Sequence, residues 1–257
     1  MTLATCQHGG YASALSIHTM CTRYTTPDQA SIEREWHIGR TNSTTVLVTV
    51  FGRERFPRQT GPFVRRARLD AGFSVELAAG RWGLIPPFST TPDVKFATYN
   101  ARSEEMAGKA SFRDAWARGQ RCIVPAVDFF EPNWETGKNV WWRFRRADGQ
   151  PWGLAGLWNR WVDRQTGEVH ESYTMLTLGA NDHPLMNRMH KPERDPATRQ
   201  PLPMALQDKR SVIAIERGDV EQWLAGTVAQ AQTLLRLPPV NLFDAQPEGE
   251  GDLFAPD

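Results

Sequence analysis

Cys21 follows Met20 directly. If translation begins at Met20, or if residues 1–20 are cut away, Cys21 carries two nucleophiles on adjacent carbons, its α-amine and its thiol. An α-amine has a reference pKa of about 7.7–8.0, so part of it is neutral at pH 7. Such an amine adds to an aldehyde to give a Schiff base, and the thiol can then close a five-membered thiazolidine. An internal cysteine cannot do this, because an amide nitrogen is not basic. Residues 1–20 are small and polar without periodicity, and read as a disordered leader that is untranslated or removed.

The other reactive residue types are less telling alone. His183 and His190 stand seven apart with Asp182 and Glu193 nearby, but no pair has the i, i+4 spacing of a helical metal site. No metal and no cofactor is expected. Cys122 opens an apolar strand and reads as a buried small hydrophobe. Three cysteines are too few for a disulfide framework, which suits a reducing, cytoplasmic setting. The longest apolar run, Trp152–Trp158, is too short to cross a bilayer, so no membrane partner is expected.

Charge and aromatic content admit two readings. Of 30 basic residues only 5 are Lys, and there are 10 Trp. Arginine forks onto phosphate, and flat rings stack on bases, so the combination suits single-stranded nucleic acid. A Trp-rich core in an Arg-biased sequence has the same composition. Residues 241–257 hold five acids and no base, so residues 1–240 stand at +6 within a chain of net charge +1. They read as an acidic disordered tail.

The elements that must position these residues are mostly strands. Val46–Phe51, Phe63–Arg68, Phe73–Trp82 and Arg121–Phe130 are apolar or β-branched. Val140–Arg146, Trp152–Val162 and Val169–Leu178 follow as a meander, with Asp148-Gly149 as a hairpin turn and a second turn at Gln165-Thr166-Gly167. Spacing predicts a helix over Ser103–Arg118, closed by Gly119. A polar, Pro-containing loop spans 181–203. Ser211–Ile215 is a short strand, and Val220–Leu224 begins a helix. The fold class is α+β, one domain built on antiparallel strands.

Read in order, the chain contains Met20-Cys21-Thr22-Arg23, Pro57-Arg58-Gln59, Arg81-Trp82-Gly83-Leu84-Ile85-Pro86 and Asn100-Ala101-Arg102-Ser103-Glu104. Arg121-Cys122-Ile123-Val124-Pro125-Ala126, Phe129-Phe130-Glu131 and His190 follow, ahead of Pro201-Leu202-Pro203. From Met20 to about Val240 this order and spacing resemble the SOS response associated peptidase (SRAP) family. The resemblance implies a twisted antiparallel barrel-like sheet with flanking helices. It implies a monomeric sensor of abasic sites in single-stranded DNA, acting in the DNA damage (SOS) response. It also implies a covalent thiazolidine crosslink through the N-terminal Cys, and a peptidase activity that releases the initiator Met or a short leader.

Residue by residue, the resemblance makes Cys21 the crosslinking residue and Asn100 the group that holds it and the lesion. Glu131 and His190 become the active-site carboxylate and imidazole. Arg23, Trp82 and Arg102 fall on DNA-contacting positions. Two departures stand out. Thr22 replaces the usual Gly, and the family's Arg-Met-Pro after the His is here Arg199-Gln200-Pro201-Leu202-Pro203, with Arg199 or Arg194 left to replace that Arg. The residue types suit the chemistry. His190 can protonate a sugar ring oxygen near neutral pH, and a buried Glu131 with a raised pKa can move protons. Asn100 can orient an amine, and Arg102 can clasp a phosphate. Two other readings stay open: an autoprocessing cysteine peptidase using Cys21, and a non-covalent single-stranded DNA-binding module.

Overall fold

A computed structural model describes residues 21–39, 52–68 and 72–249. The leader, the strand expected at Val46–Phe51 and the last eight residues lie outside that range.

Five strands close into a barrel. Their cyclic order is β10 (Val169–Gly179), β4 (Val75–Trp82), β3 (Thr60–Arg66), β6 (Arg121–Ala126) and β9 (Trp152–Val162), with β9 returning to β10. Four seams are antiparallel, and the β10–β4 seam is parallel. β5 (Asn100–Arg102) also runs parallel to β10, and β11 (Arg210–Val212) pairs antiparallel beyond it. β6 is buried along its whole length, which its apolar, β-branched sequence permits.

A second sheet has the order β12 (Phe243–Pro247), β8 (Val140–Arg146), β7 (Asp128–Asn133), β1 (Tyr24–Thr25) and β2 (Glu54–Arg55). The strand expected over Arg121–Phe130 is therefore two strands. The chain leaves the barrel at the exposed Val127, whose N–H donates to the Thr25 carbonyl at 2.8 Å. Asp148-Gly149 likewise does not close a hairpin. It returns the chain from the second sheet to the barrel, with Gly149 at φ +73. The β9–β10 hairpin is present as expected, from Val162↔Val169 through Gly156↔Met175.

The expected helix over 103–118 shrinks to α2 (Arg113–Ala117), preceded by turns. Gly108 lies in the middle of the pattern, where glycine costs about 1 kcal/mol relative to alanine. The Arg102 carbonyl there accepts from both Glu105 and Met106. α1 (Gln29–Glu35), capped by Asp28, α3 (Val220–Ala225) and α4 (Val228–Gln232) complete the α-helices among the described residues. The acidic tail does not begin at 241. Residues 243–247 form β12, and Phe243 packs against Phe144 and Trp152. Among the described residues no helix is long and apolar enough to cross a bilayer.

Two large apolar clusters form most of the core, beside a small one of Ile85, Val94 and Trp161. One gathers Ile32, Leu84, Trp116 and Trp223. The other gathers Tyr24, Phe63, Trp82, Phe129 and Tyr173, and Cys21 lies inside it.

Candidate functional site

β1 lays the N-terminal segment along β7. Tyr24 faces Phe129, Thr25 faces Asp128, and the Phe130 N–H donates to the Arg23 carbonyl at 3.0 Å. Continued backward, this register brings Cys21 level with Glu131 and Pro132. Asn100 arrives from β5 on the barrel and donates its Nδ2–H to the Cys21 carbonyl at 2.8 Å. The Cys21 side chain is fully buried, with Sγ 3.7 Å from the Arg23 carbonyl. Burial above all, with Glu131 beside it, pushes the Cys21 thiol well above its usual range, so the sulfur is a neutral thiol.

Glu131 is 1% exposed, and burial raises its carboxyl well above the ordinary carboxylate range. His190 comes from the opposite side, after a single 3-10 turn at Met186–Arg188. Its Nε2 stands 3.7 Å from a Glu131 oxygen, too far for a hydrogen bond, and donates to the Arg210 carbonyl at 3.0 Å. That bond places a proton on Nε2. The backbone of His190 is tied down twice. Its N–H donates to the Pro132 carbonyl at 2.6 Å, and its own carbonyl accepts from Lys209 Nζ at 2.8 Å. The residue sits at φ +63, a conformation that a non-glycine residue holds only where its surroundings enforce it.

Two polar atoms of this cluster have no hydrogen-bond partner although both are buried: Asn100 Oδ1 and Glu131 Oε2. Leaving a buried polar atom unpaired costs about 1–3 kcal/mol. Both atoms can hydrogen-bond to a group placed beside Cys21.

The four residues expected to do chemistry, Cys21, Asn100, Glu131 and His190, therefore converge. The four expected to meet DNA do not share one arrangement. Arg102 is partly exposed and paired with Asp208 and Glu105. Arg23 is paired with Glu54 and Glu248 and lies 4.0 Å over the Phe130 ring. Trp82 is a correction. It is fully buried, donates its indole N–H to the Tyr99 carbonyl at 2.8 Å and meets Tyr24 edge-on at 5.0 Å, so no base can stack on it. Arg199 sits in an exposed turn, its carbonyl accepting from Arg194, and no contact joins it to the Cys21 cluster.

Lys209 escapes sequence reasoning. It is 4% exposed and holds the Met189 and His190 carbonyls together at 2.6 and 2.8 Å. Its only signal is that it is one of five lysines in an arginine-rich chain. Among the described residues no three His, Cys, Asp or Glu side chains are placed to hold a metal ion.

The family model described as SOS response associated peptidase (SRAP) matches residues 20–247. Abasic site processing protein HMCES of Xenopus tropicalis is 31% identical over 141 residues, covering 47% of this chain and 41% of that protein. Abasic site processing protein YoqW of Bacillus subtilis is 29% identical over 123 residues, 48% of this chain and 53% of that one. The matches thus span about half the length of these curated relatives. A crystal structure of a Bordetella bronchiseptica protein superposes with a TM-score of 0.72 at 34% identity, covering 88% of this chain and 99% of that one. One from Bacteroides thetaiotaomicron gives 0.65 at 20% identity, covering 88% and 91%, and shares the fold.

Proposed function

The chain belongs to the SOS response associated peptidase family, and on that premise we propose that it captures abasic sites in single-stranded DNA as a covalent thiazolidine, in the DNA damage response. The observation that carries this reading is the pair of unpartnered buried atoms, Asn100 Oδ1 and Glu131 Oε2, beside Cys21. The names of the relatives, abasic site processing proteins, agree with it.

The reactive form begins at Cys21. Its amine adds to the sugar aldehyde to give a carbinolamine, which loses water to form an iminium. The thiol then adds to the same carbon, the carbon–sulfur bond forms, and the thiol proton leaves. The net change is the loss of one water. A protonated Glu131 supplies the proton that carries off the hydroxyl, and the resulting carboxylate accepts the thiol proton. Asn100 Oδ1 accepts from the attacking nitrogen. His190 assists opening of the closed sugar. Arg102 meets a phosphate by exchanging its carboxylate partners for the DNA backbone, while Glu54 and Glu248 hold Arg23 back from it.

The neutral, buried thiol counts against a cysteine peptidase that needs a standing thiolate. Release of residues 1–20 is then a preparatory step rather than the main activity. Incubation with an abasic oligonucleotide followed by a denaturing gel tests the proposal. A retained band that disappears in Cys21→Ala supports it. Binding that is lost on denaturation and weakens with salt identifies a non-covalent module instead.

A further inference from the structure

At the start of β6 lies a pocket of about 400 Å³ that shares no lining residue with the Cys21 cluster. Arg66, Arg68, Arg118 and Arg121 line it together with Trp158, and no carboxylate does. Arg121 is the buried member, at 3% exposure. Its Nε and Nη2 donate to the Trp223 and Gly226 carbonyls, and Nη1 has no hydrogen-bond partner. Burial pulls its pKa down with no acid opposing the shift.

Elsewhere the buried Arg65 and Arg210 and the half-buried Arg146 each meet a carboxylate oxygen at 2.6 to 2.7 Å. Among the described residues none of the four pocket arginines has such a partner. A guanidinium taken out of water without a counter-charge is expensive, and three more cations at the same mouth add to the repulsion. An anion relieves both. Arginine forks match the oxygens of a phosphate, two donors to two acceptors.

We propose that this pocket is a second, phosphate-binding site. Arg66, Arg68 and Arg118 contact the phosphate at the mouth, and Arg121 supplies fixed positive charge behind them. A DNA backbone and a free phosphate offer the same chemistry, and the test separates them.

The test is an amide NMR titration of the full chain with inorganic phosphate, matched for ionic strength with chloride. The expected result is a saturable shift of the Gly119, Gln120 and Arg121 amides with phosphate and not with chloride. The double variant R66E/R118E should weaken that binding at least tenfold. Both residues are exposed, so the fold is kept, and Arg68→Glu serves as a second variant. Adding an undamaged single-stranded oligonucleotide names the source. If it moves the same amides and competes with phosphate, the ligand is the DNA backbone; if it leaves them unmoved, the ligand is a free phosphate. No saturable shift, an equal shift with chloride, or undiminished phosphate binding in the variants overturns the proposal.

Discussion

Glu131 has one carboxyl oxygen without a hydrogen bond and almost no exposure, so burial favours its neutral form. The folded state then binds more protons than the unfolded chain, and stability falls as pH rises through the raised pKa. Each unit of that shift is worth about 1.4 kcal/mol. Glu131→Gln removes the titration while keeping the shape of the neutral acid. Its melting temperature should match wild type near pH 4 and exceed it increasingly toward pH 8; parallel curves would mean that Glu131 is not protonated in the fold. The same variant should slow crosslinking by about 10²–10⁴-fold, the range for general acid–base catalysis, with DNA affinity nearly unchanged. Cys21→Ala should leave only a Schiff base that needs borohydride to trap it, read on a denaturing gel. A stable untrapped adduct in that variant would rule out ring closure by the thiol. That Cys21, Asn100, Glu131 and His190 come together was legible because their types and order match a family pattern. Trp82 was misread because a motif position does not say which way an indole faces. Lys209 was invisible because nothing local marks a lysine that ties two backbone carbonyls.

Strand pairing limits what can be read at the scale of elements. Val140–Arg146 and Trp152–Val162 were legible to the residue from alternation and turn chemistry. Their partners were not, since the side-chain pattern of a strand carries no record of which neighbour its backbone joins. Hence Asp148-Gly149 looked like a hairpin and is a crossing between sheets. Barrel closure at β9 and β10 rests on a close approach at Gly156. A Cβ there would lie 2.6 Å from the Thr174 carbonyl oxygen and 2.9 Å from Cys122 Sγ. Gly156→Ala should therefore destabilise by about 1–3 kcal/mol, as overpacking does. In a thermal melt that is a drop of several degrees, at about 2–4 °C per kcal/mol for a protein of this size. An unchanged melting temperature would show that the seam has slack.

At the scale of the whole molecule, the C-terminal segment returns to the N-terminal site. β12 extends the second sheet, and Glu248 reaches Arg23, two residues from Cys21. Composition marked this segment only as acidic and could not show the sheet edge waiting for it. Such an exposed ion pair adds little to stability, so Glu248→Ala should leave the melting temperature almost unmoved. It should instead release Arg23 toward DNA and steepen the salt dependence of single-stranded DNA binding by about 0.7 in log–log slope, the value for one added phosphate contact. An unchanged slope would remove Arg23 from the DNA path. The chemistry of the site turns on Cys21, as an N-terminal residue, closing a ring on the abasic sugar. The most direct test is the intact mass of the adduct formed between protein expressed from the full reading frame and an abasic oligonucleotide. The expected mass is residues 21–257 plus the oligonucleotide minus one water, in an adduct that survives denaturation without borohydride, which separates the closed ring from an open Schiff base of equal mass. An adduct that retains residues 1–20, or one formed without loss of water, would contradict the account.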